Sequence, residues 1–341
     1  MCPPVQTDWQ FRNAANVMDL SVQIPTGLSF SVFLRVAPGF LGAFLVLFAL
    51  GRLENVPIGD AVTMVATWGL LLGLFFLMTR YGIWCFYEGR WFWPAGLARH
   101  LVARLQDKLD KDFEQSRKLK QRIDEFLRRG DLSAKELAEL DETYSRYSEL
   151  WFSIRQYPED PKLIWKVTDK LEVGRRKVTC PTRFGNIVAE FESYPVIRYG
   201  IDPVFFWYRL RFLLPKEAYE AIDNSAAIVD SLVFTSVAFA MFTPLYMLVS
   251  SFACTVSIAV ALASLLLSYC AYRLSLLGLR SYGEHFKALF DVYRQELFSR
   301  MQNLMSRPSN VKEEFAFWER IQGYLMYSKP LPNTKGASKS A

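Results

Sequence analysis

SLVFTSVAFAMFTPLYMLVSSFACTVSIAVALASLLLSYCAY, residues 231–272, contains no Asp, Glu, Lys or Arg. A helix crosses a bilayer with about 20 apolar residues, so this run is long enough for two crossings joined by a tight turn. The alternative, a pair of buried helices in a soluble protein, is disfavoured because so long an uncharged run is difficult to enclose in a soluble core. We therefore predict two membrane-spanning helices, at 231–250 and 253–273.

The N-terminal part of the chain contains a second pair of apolar runs. Residues 61–79 include no charged residue, and the run 29–51 is interrupted only by Arg35. These runs predict spans at 29–51 and 61–84. The predicted fold class is therefore all-α, a polytopic integral membrane protein with four transmembrane helices in two hairpins and a cytoplasmic helical domain.

The orientation follows from the lysines and arginines beside the spans. The loop 52–60 contains only Arg52, and the turn between the last two spans has no charge. The opposite side carries Arg80, Arg90, Arg99, Arg104, Arg209, Arg211, Lys216, Arg273, Arg280 and Lys287. Because basic residues favour the cytoplasmic side, we predict a multi-pass protein with both termini in the cytoplasm. The net charge of +6 then reflects this bias and attraction to anionic lipid, so no nucleic-acid partner is expected.

The spans divide the chain into segments. The predicted order is an N-terminal cytoplasmic segment at 1–28, transmembrane hairpin 29–85, cytoplasmic helical domain 86–230, transmembrane hairpin 231–273, cytoplasmic C-terminal helices at 274–327 and a disordered basic tail at 328–341. The bilayer itself is the first expected partner.

A charged helical hairpin is predicted at 97–155 within the cytoplasmic domain. Gly130 is placed to end its first helix, and Ser133 with Glu136 forms a capping-box pattern at the start of the second. Apolar residues from Leu137 to Ile154 alternate at spacings of three and four, as in a coiled-coil seam. This seam either packs inside the hairpin or binds a cytoplasmic protein partner.

RYGIDPVFFWYRLRFLLP, residues 198–215, mixes arginines with aromatic residues just before the third span. Asp202 and Pro203 form a helix-start pattern, and Pro215 closes the segment. The resulting helix, 203–214, is too short to cross a bilayer, so we predict that it lies in the membrane interface. The preceding segment, 157–199, is punctuated by Pro and Gly and is predicted to be a loop.

Small residues recur on two of the spans. Gly69 and Gly73 share one helix face, as close helix crossing requires. A stripe with spacings of three and four follows the fourth span: Cys254, Ser257, Ala261, Ser264, Ser268 and Ala271. The stripe is either a helix-packing seam or, if identical subunits surround an axis, a pore lining.

The sequence contains no recognisable catalytic or metal-binding motif, so we expect neither an enzyme nor a bound metal or cofactor. One polar constellation is singled out by its PTRFGN and RYGID motifs: Arg183, Asn186, Arg198 and Asp202. These residues are predicted to form either a structural clasp or a ligand pocket near the membrane.

Three segments of the chain together resemble a widespread group of uncharacterised bacterial four-span membrane proteins. They are CPTRFGNIVAEFESYPVIRYGID at 180–202, FFWYRL at 205–210 and YGEHFKALFDVYRQEL at 282–297. This resemblance implies no known activity, and it implies that the protein belongs to the bacterial inner (plasma) membrane. The layout also resembles that of the bestrophin anion channels, which implies a homo-oligomer, and residues 72–93 are similar to the end of their second span. The chain departs from that family in lacking its pore-neck motif and its acidic calcium clasp.

These observations predict an oligomeric channel or pore-like protein for small ions, with anions favoured by the basic residues and with the cytoplasmic helices as the gate. The alternative is a membrane-anchored scaffold or a signalling or defence effector, which binds a cytoplasmic partner and does not conduct.

Overall fold

The computed structural model of the protein describes residues 29–53, 56–159, 176–250, 255–301 and 311–327. The predicted terminal segments 1–28 and 328–341 therefore lie outside the described residues. Apart from one isolated β-bridge, the regular structure of the described part is helical, which confirms the all-α class. Its helices are α1 Phe30–Ala49, α2 Ile58–Glu88, α3 Ala95–Arg129, α4 Ala134–Ile154, α5 Arg183–Tyr199, α6 Pro203–Arg211, α7 Lys216–Val249, α8 Thr255–Met301 and α9 Val311–Tyr327.

Four of these helices, α1, α2, α7 and α8, are long and apolar enough to cross a membrane. Two of them extend far beyond the predicted spans, because α7 begins at Lys216 and α8 continues to Met301. With 47 residues, α8 is about 70 Å long, more than twice the thickness of the hydrocarbon layer. The change from uncharged to charged sequence therefore marks where the apolar surface stops and not where the helix stops.

The four apolar helices pack in a continuous series. α7 contacts α8 along one side and α1 along another, and α1 also contacts α2. α5 lies against both α2 and α8 beyond the apolar runs, so the polar part of the protein is attached to the same end of these helices.

The segment predicted as a loop at 157–199 contains helix α5, so that prediction is wrong. The hydroxyl of Thr182 accepts a hydrogen bond from the Gly185 backbone at 2.9 Å and caps the start of the helix. Gly200 ends it with a positive φ of 75°, a conformation that favours glycine. Pro195 lies inside the last turns of α5, where a proline does not prevent the preceding turns from forming.

The main hydrophobic core begins within the apolar runs, where it includes Phe76 of α2 and Phe234 of α7, and continues to the place where α5, α6, α8 and α9 meet. Trp318 of α9 is fully buried there, with its ring 5.2 Å from that of Phe206 and 5.0 Å from that of Phe317. A smaller core joins α3 and α4 to the following loop through Leu109, Ile154 and Val178.

The hairpin of α3 and α4 has the predicted capping box. Ser133 and Glu136 each accept a hydrogen bond from the other's backbone. The seam on α4 is packed unevenly, because Ile154 is fully buried whereas Leu137 and Tyr144 are exposed. Among the described residues, the seam is therefore covered most completely at the end nearest the loop.

Helix α6 has the predicted start, with Asp202 as its N-cap and Pro203 in its first turn. Phe206 and Leu210 are fully buried in the protein core. The side that stays exposed carries Val204, Tyr208 and Phe212. The arginines of this stretch stack on neighbouring rings, as Arg209 does over Phe205 at 3.9 Å.

Candidate functional site at the boundary of the apolar helices

A cluster of charges joins three of the apolar helices where their uncharged surface ends. Arg35 of α1 donates from Nε to Asp230 of α7 at 2.8 Å and from Nη2 to Asp223 at 2.9 Å. From α2, Arg80 Nε and Trp84 Nε1 each donate to the second oxygen of Asp230 at 2.8 Å. We call these five residues the Asp230 cluster.

Asp230 is the centre of this cluster and is fully buried, with 0% of its side chain exposed. The side chain of Arg35 is 12% exposed and that of Arg80 is 41% exposed. A buried charge is tolerated only when it is paired and hydrogen-bonded, and removing one partner of such a pair typically costs about 3–5 kcal/mol. The Asp230 cluster is therefore a strong constraint on how α1, α2 and α7 are arranged.

Sequence reasoning missed this cluster because Asp230 directly precedes the uncharged run and was assigned to the cytoplasmic domain. Arg35 is the only charge in the run 29–51, but the sequence does not identify its partner. The sequence contained one signal for this cluster, the position of the three charges across the membrane. Because successive spans run in opposite directions, Arg35, Arg80 and Asp230 all lie near the same side of the membrane.

The small-residue stripe of the fourth span lies in the contact between α7 and α8. The hydroxyl of Ser264 donates to the Phe239 carbonyl at 2.8 Å. Ser268 donates to the Ser236 carbonyl at 2.8 Å, and Ser236 donates to the Ser268 carbonyl at 2.9 Å. These serine hydroxyls are thus used in helix packing within one chain.

The other members of the stripe have the burial expected of a packed face. Ser268 is half-buried, Cys254 lies outside the described residues, and the buried members are Ser257, Ala261, Ser264 and Ala271.

Gly69 and Gly73 are buried in the contact between α1 and α2. A Cβ added at Gly69 would lie 2.8 Å from the Cα of Phe40, and one at Gly73 would lie 2.9 Å from the Val36 carbonyl oxygen. On α1, Gly39 is just as close to the backbone of both glycines. The predicted glycine face therefore packs within the chain, and its α1 partner, Gly39, was missed because it follows Pro38.

Asn186 organises the turn that precedes α5. Its side-chain oxygen accepts from the backbone of Thr179 at 2.9 Å and of Cys180 at 3.2 Å. Its amide nitrogen donates to the carbonyls of Cys180 at 2.7 Å and Thr182 at 2.6 Å. All the hydrogen-bonding capacity of this amide is used locally, so Asn186 is not free to bind a ligand.

This turn is fixed to the end of α2. The Thr182 hydroxyl donates to the Tyr87 carbonyl at 2.6 Å. A Cβ at Gly185 would overlap the Glu88 carbonyl, so α5 begins in direct backbone contact with α2. The Asn186 turn thus attaches the polar helices to the apolar ones.

Arg183, Arg198 and Asp202 are not brought together into one site with Asn186. Arg183 and Arg198 are at opposite ends of α5, about 22 Å apart along the helix. Asp202 caps α6 through the Phe205 backbone at 3.2 Å and accepts from Gln322 of α9 at 2.8 Å. No ion pair between described residues connects these three side chains.

Arg183 instead approaches two arginines of α8. Arg273 and Arg280 are seven residues apart and therefore share a helix face, and both Arg183 and Arg273 act electrostatically on Arg280. The Nε of Arg280 is buried without a hydrogen-bond partner. Within the described ranges none of these arginines forms an ion pair, so this arginine cluster is a local excess of positive charge.

A separate buried network surrounds Glu190 of α5. Lys287 of α8 lies 3.2 Å from the Glu190 carboxylate, and Arg176 lies 3.9 Å from it. Burial raises the pKa of Glu190, and the positive charge of Lys287 opposes this rise. The network holds α5 against α8 and the loop, which is a structural role.

A serine–histidine contact is present among the described residues, and a metal-binding cluster is not. No group of three or more His, Cys, Asp or Glu side chains there is arranged to hold a metal ion. The Ser225 hydroxyl lies 2.8 Å from His285 Nδ1, but its proton is donated to the Ala221 carbonyl. When Nδ1 carries the ring proton, His285 donates to the Ser225 oxygen, so the contact is accounted for without activation of the hydroxyl.

In comparisons with known proteins, no family model matches the chain, and no curated protein or solved structure matches it.

Proposed function

We propose that copies of this chain assemble in the bacterial plasma membrane into a pore for small ions, with anions favoured. In this proposal both termini are cytoplasmic, the four spans form two hairpins, and the polar helices control opening. The layout resemblance to the bestrophin channels is consistent with such a homo-oligomer.

The arginine cluster is the observation that carries this proposal. Arg273 directly follows the uncharged run of the fourth span, so the cluster lies at the mouth of the membrane segment. Positive charges at such a mouth raise the local concentration of anions and favour their entry.

The lipid-facing and subunit-facing surfaces support an assembly. Only 17% to 39% of the apolar window of each span is buried within the chain. The rest of that surface is available to lipid or to further copies. Because the serine stripe is already used between α7 and α8, the conduction path in this proposal runs between subunits and not along that stripe.

The Asp230 cluster supports a role for the polar helices in gating. It holds α1, α2 and α7 together at the end of the spans, next to the junction with α5. A displacement of α5 relative to α2, through the Asn186 turn, would therefore act directly on the mouth of the proposed pore.

Anion flux from liposomes that contain the purified protein tests the proposal. We expect protein-dependent chloride flux, and we expect Arg280→Gln and Arg183→Gln to lower it by about tenfold because they remove charge that concentrates the anion. Arg128→Gln is the matched control, since Arg128 is an exposed arginine of α3 that is absent from the arginine cluster.

Two results would contradict the pore. One is the absence of protein-dependent flux under every ionic condition and membrane potential tested. The other is a monomeric mass in detergent and in lipid nanodiscs, because the proposed conduction path requires more than one copy.

A membrane-anchored scaffold or effector is the second candidate, and the surface of the α3–α4 hairpin favours it. Leu127 of α3 and Leu137, Tyr144 and Phe152 of α4 are exposed apolar side chains on an otherwise charged hairpin. An exposed apolar seam of this kind is suited to binding an amphipathic helix of another protein.

Photo-crosslinking in cells tests the scaffold. A photoreactive residue at Leu137 or Tyr144 should trap one discrete protein, while the same residue at exposed Glu149 should not. Trapping only a second copy of this chain would instead support self-assembly, and no specific product at Leu137 would remove the basis for the scaffold.

A further inference from the structure

A pocket of about 210 Å³ lies where α2, α5, α6 and α8 converge beyond the apolar runs. It is smaller than the clefts of roughly 300–1,000 Å³ that hold drug-sized ligands, so its size suits a small chemical group. Aromatic rings form most of its wall: Trp84, Phe191, Trp207, Tyr208, Tyr282 and Phe286.

Two carboxylates, those of Glu88 and Glu192, also line this aromatic pocket. They share one arginine, because Arg90 lies 2.7 Å from Glu88 and 3.7 Å from Glu192. Glu192 makes no hydrogen bond to another described residue. The aromatic pocket therefore has one carboxylate more than its nearby arginine neutralises.

The lack of positive charge beside Glu192 affects the pKa of its carboxyl group. Burial, together with the negative charges of Glu88 and Asp202, raises the pKa of Glu192 to about 7, although Arg90 opposes the rise. A positive charge placed in the aromatic pocket would stabilise the ionised carboxylate of Glu192. Arg90 alone does not supply enough positive charge to do so.

We propose that the aromatic pocket binds the ammonium group of an organic cation, with the rings enclosing the cation and Glu192 supplying the counter-charge. Aromatic faces attract ammonium groups, and cages of several rings are the usual means of recognising quaternary ammonium ligands. This site is separate from the arginine cluster and does not depend on conduction.

The depth of the aromatic pocket admits two sources of such a cation. Trp84 and Glu88 follow Arg80 by four and eight residues, about 6 and 12 Å beyond the apolar boundary. The headgroup layer on each side of a bilayer is about 5–8 Å thick, so Trp84 lies at headgroup depth and Glu88 just beyond it, and Tyr208 of α6 stays exposed at the rim. The ligand is therefore either the ammonium headgroup of a lipid or a soluble amine.

Calorimetric titration of the full chain in nanodiscs of anionic phosphatidylglycerol tests the site. We expect choline to bind saturably and its neutral isostere, 3,3-dimethylbutan-1-ol, to bind at least about tenfold more weakly. Glu192→Gln and Tyr208→Ala should each weaken choline binding by about tenfold. Phe212→Ala is the control, since Phe212 is exposed nearby on the same segment but does not line the pocket.

Repeating the titration in nanodiscs of phosphatidylcholine separates the two sources. Loss of choline binding there supports a lipid headgroup as the occupant, and unchanged binding supports a soluble amine. Equal binding of choline and its isostere, or no choline binding in phosphatidylglycerol together with no retention of phosphatidylcholine by the purified protein, would overturn the proposal. Thermal unfolding of each variant identifies any loss that is due to misfolding.

Discussion

The contact between α1 and α2 and the contact between α7 and α8 hold apolar helices together by different means. The first depends on Gly39, Gly69 and Gly73, which bring the two backbones into direct contact. The second depends on Ser236, Ser264 and Ser268, whose hydroxyls donate to carbonyls of the facing helix.

The two contacts are two ways of holding apolar helices together inside a bilayer. Lipid tails are as apolar as the helix surface, so helices in a bilayer associate through close packing and interhelical hydrogen bonds and not through burial from water. The glycine contact has no room for an added atom, whereas the serine contact loses only a hydrogen bond when a hydroxyl is removed. The Asp230 cluster then ties α7 to α1 and α2 and so connects the two contacts.

The largest loss of folding stability is expected for Asp230→Asn, which would remove the ion pairs that connect the two helix contacts. It leaves Arg80 unpaired and Arg35 with Asp223 alone, so the free energy of unfolding should fall by about 3 kcal/mol. Because the side chain of Arg80 is 41% exposed and reaches water, the lower end of the usual range applies. Thermal unfolding in detergent measures the change, with exposed Asp60→Asn as the control, and an unchanged midpoint would contradict the assigned role.

The next largest loss of folding stability is expected for Gly39→Ala, which would force α1 away from α2. The new Cβ would overlap the backbone of Gly69 and Gly73, and overpacking of this kind costs about 1–3 kcal/mol. Gly59→Ala provides the control, since a Cβ at Gly59 meets open space. Equal unfolding midpoints for the two variants would show that the glycine contact is not tight.

A smaller change in the free energy of unfolding is expected for substitutions at the serine contact. Ser236→Ala and Ser268→Ala each remove one bond to a carbonyl of the facing helix, and because the two hydroxyl oxygens also lie 3.2 Å apart, a double-mutant cycle should give a coupling of about 0.6 kcal/mol. Thr67→Ala should show no coupling to either, because the Thr67 hydroxyl bonds to the Thr63 carbonyl of its own helix. A coupling as large as the Gly39→Ala effect would contradict the distinction between the two contacts.

The smallest effect is expected away from both contacts, on the α3–α4 hairpin. Arg122 and Glu139 form an ion pair there with both side chains exposed, and such pairs contribute about 0–1 kcal/mol. Arg122→Ala should therefore leave the unfolding midpoint nearly unchanged. A large loss would indicate that the hairpin contributes to the packing of the apolar helices.

The sequence by itself determined the all-α class, the four apolar helices and several helix ends. Each of these depends on residues close together in the chain: a run without charge, the capping box of Ser133 and Glu136, and the helix start at Asp202. Such features are local, because chain solvation and helix capping are decided within one or two turns.

Only the tertiary structure decided which faces meet. Asp230 pairs with Arg35 and Arg80, which are 195 and 150 residues away in the chain. The same holds for the serine stripe, whose spacing fits a packing seam and a pore lining equally well until α7 is placed against it. Periodicity identifies a face but not its partner, since the partner is selected by packing and charge compensation among distant segments.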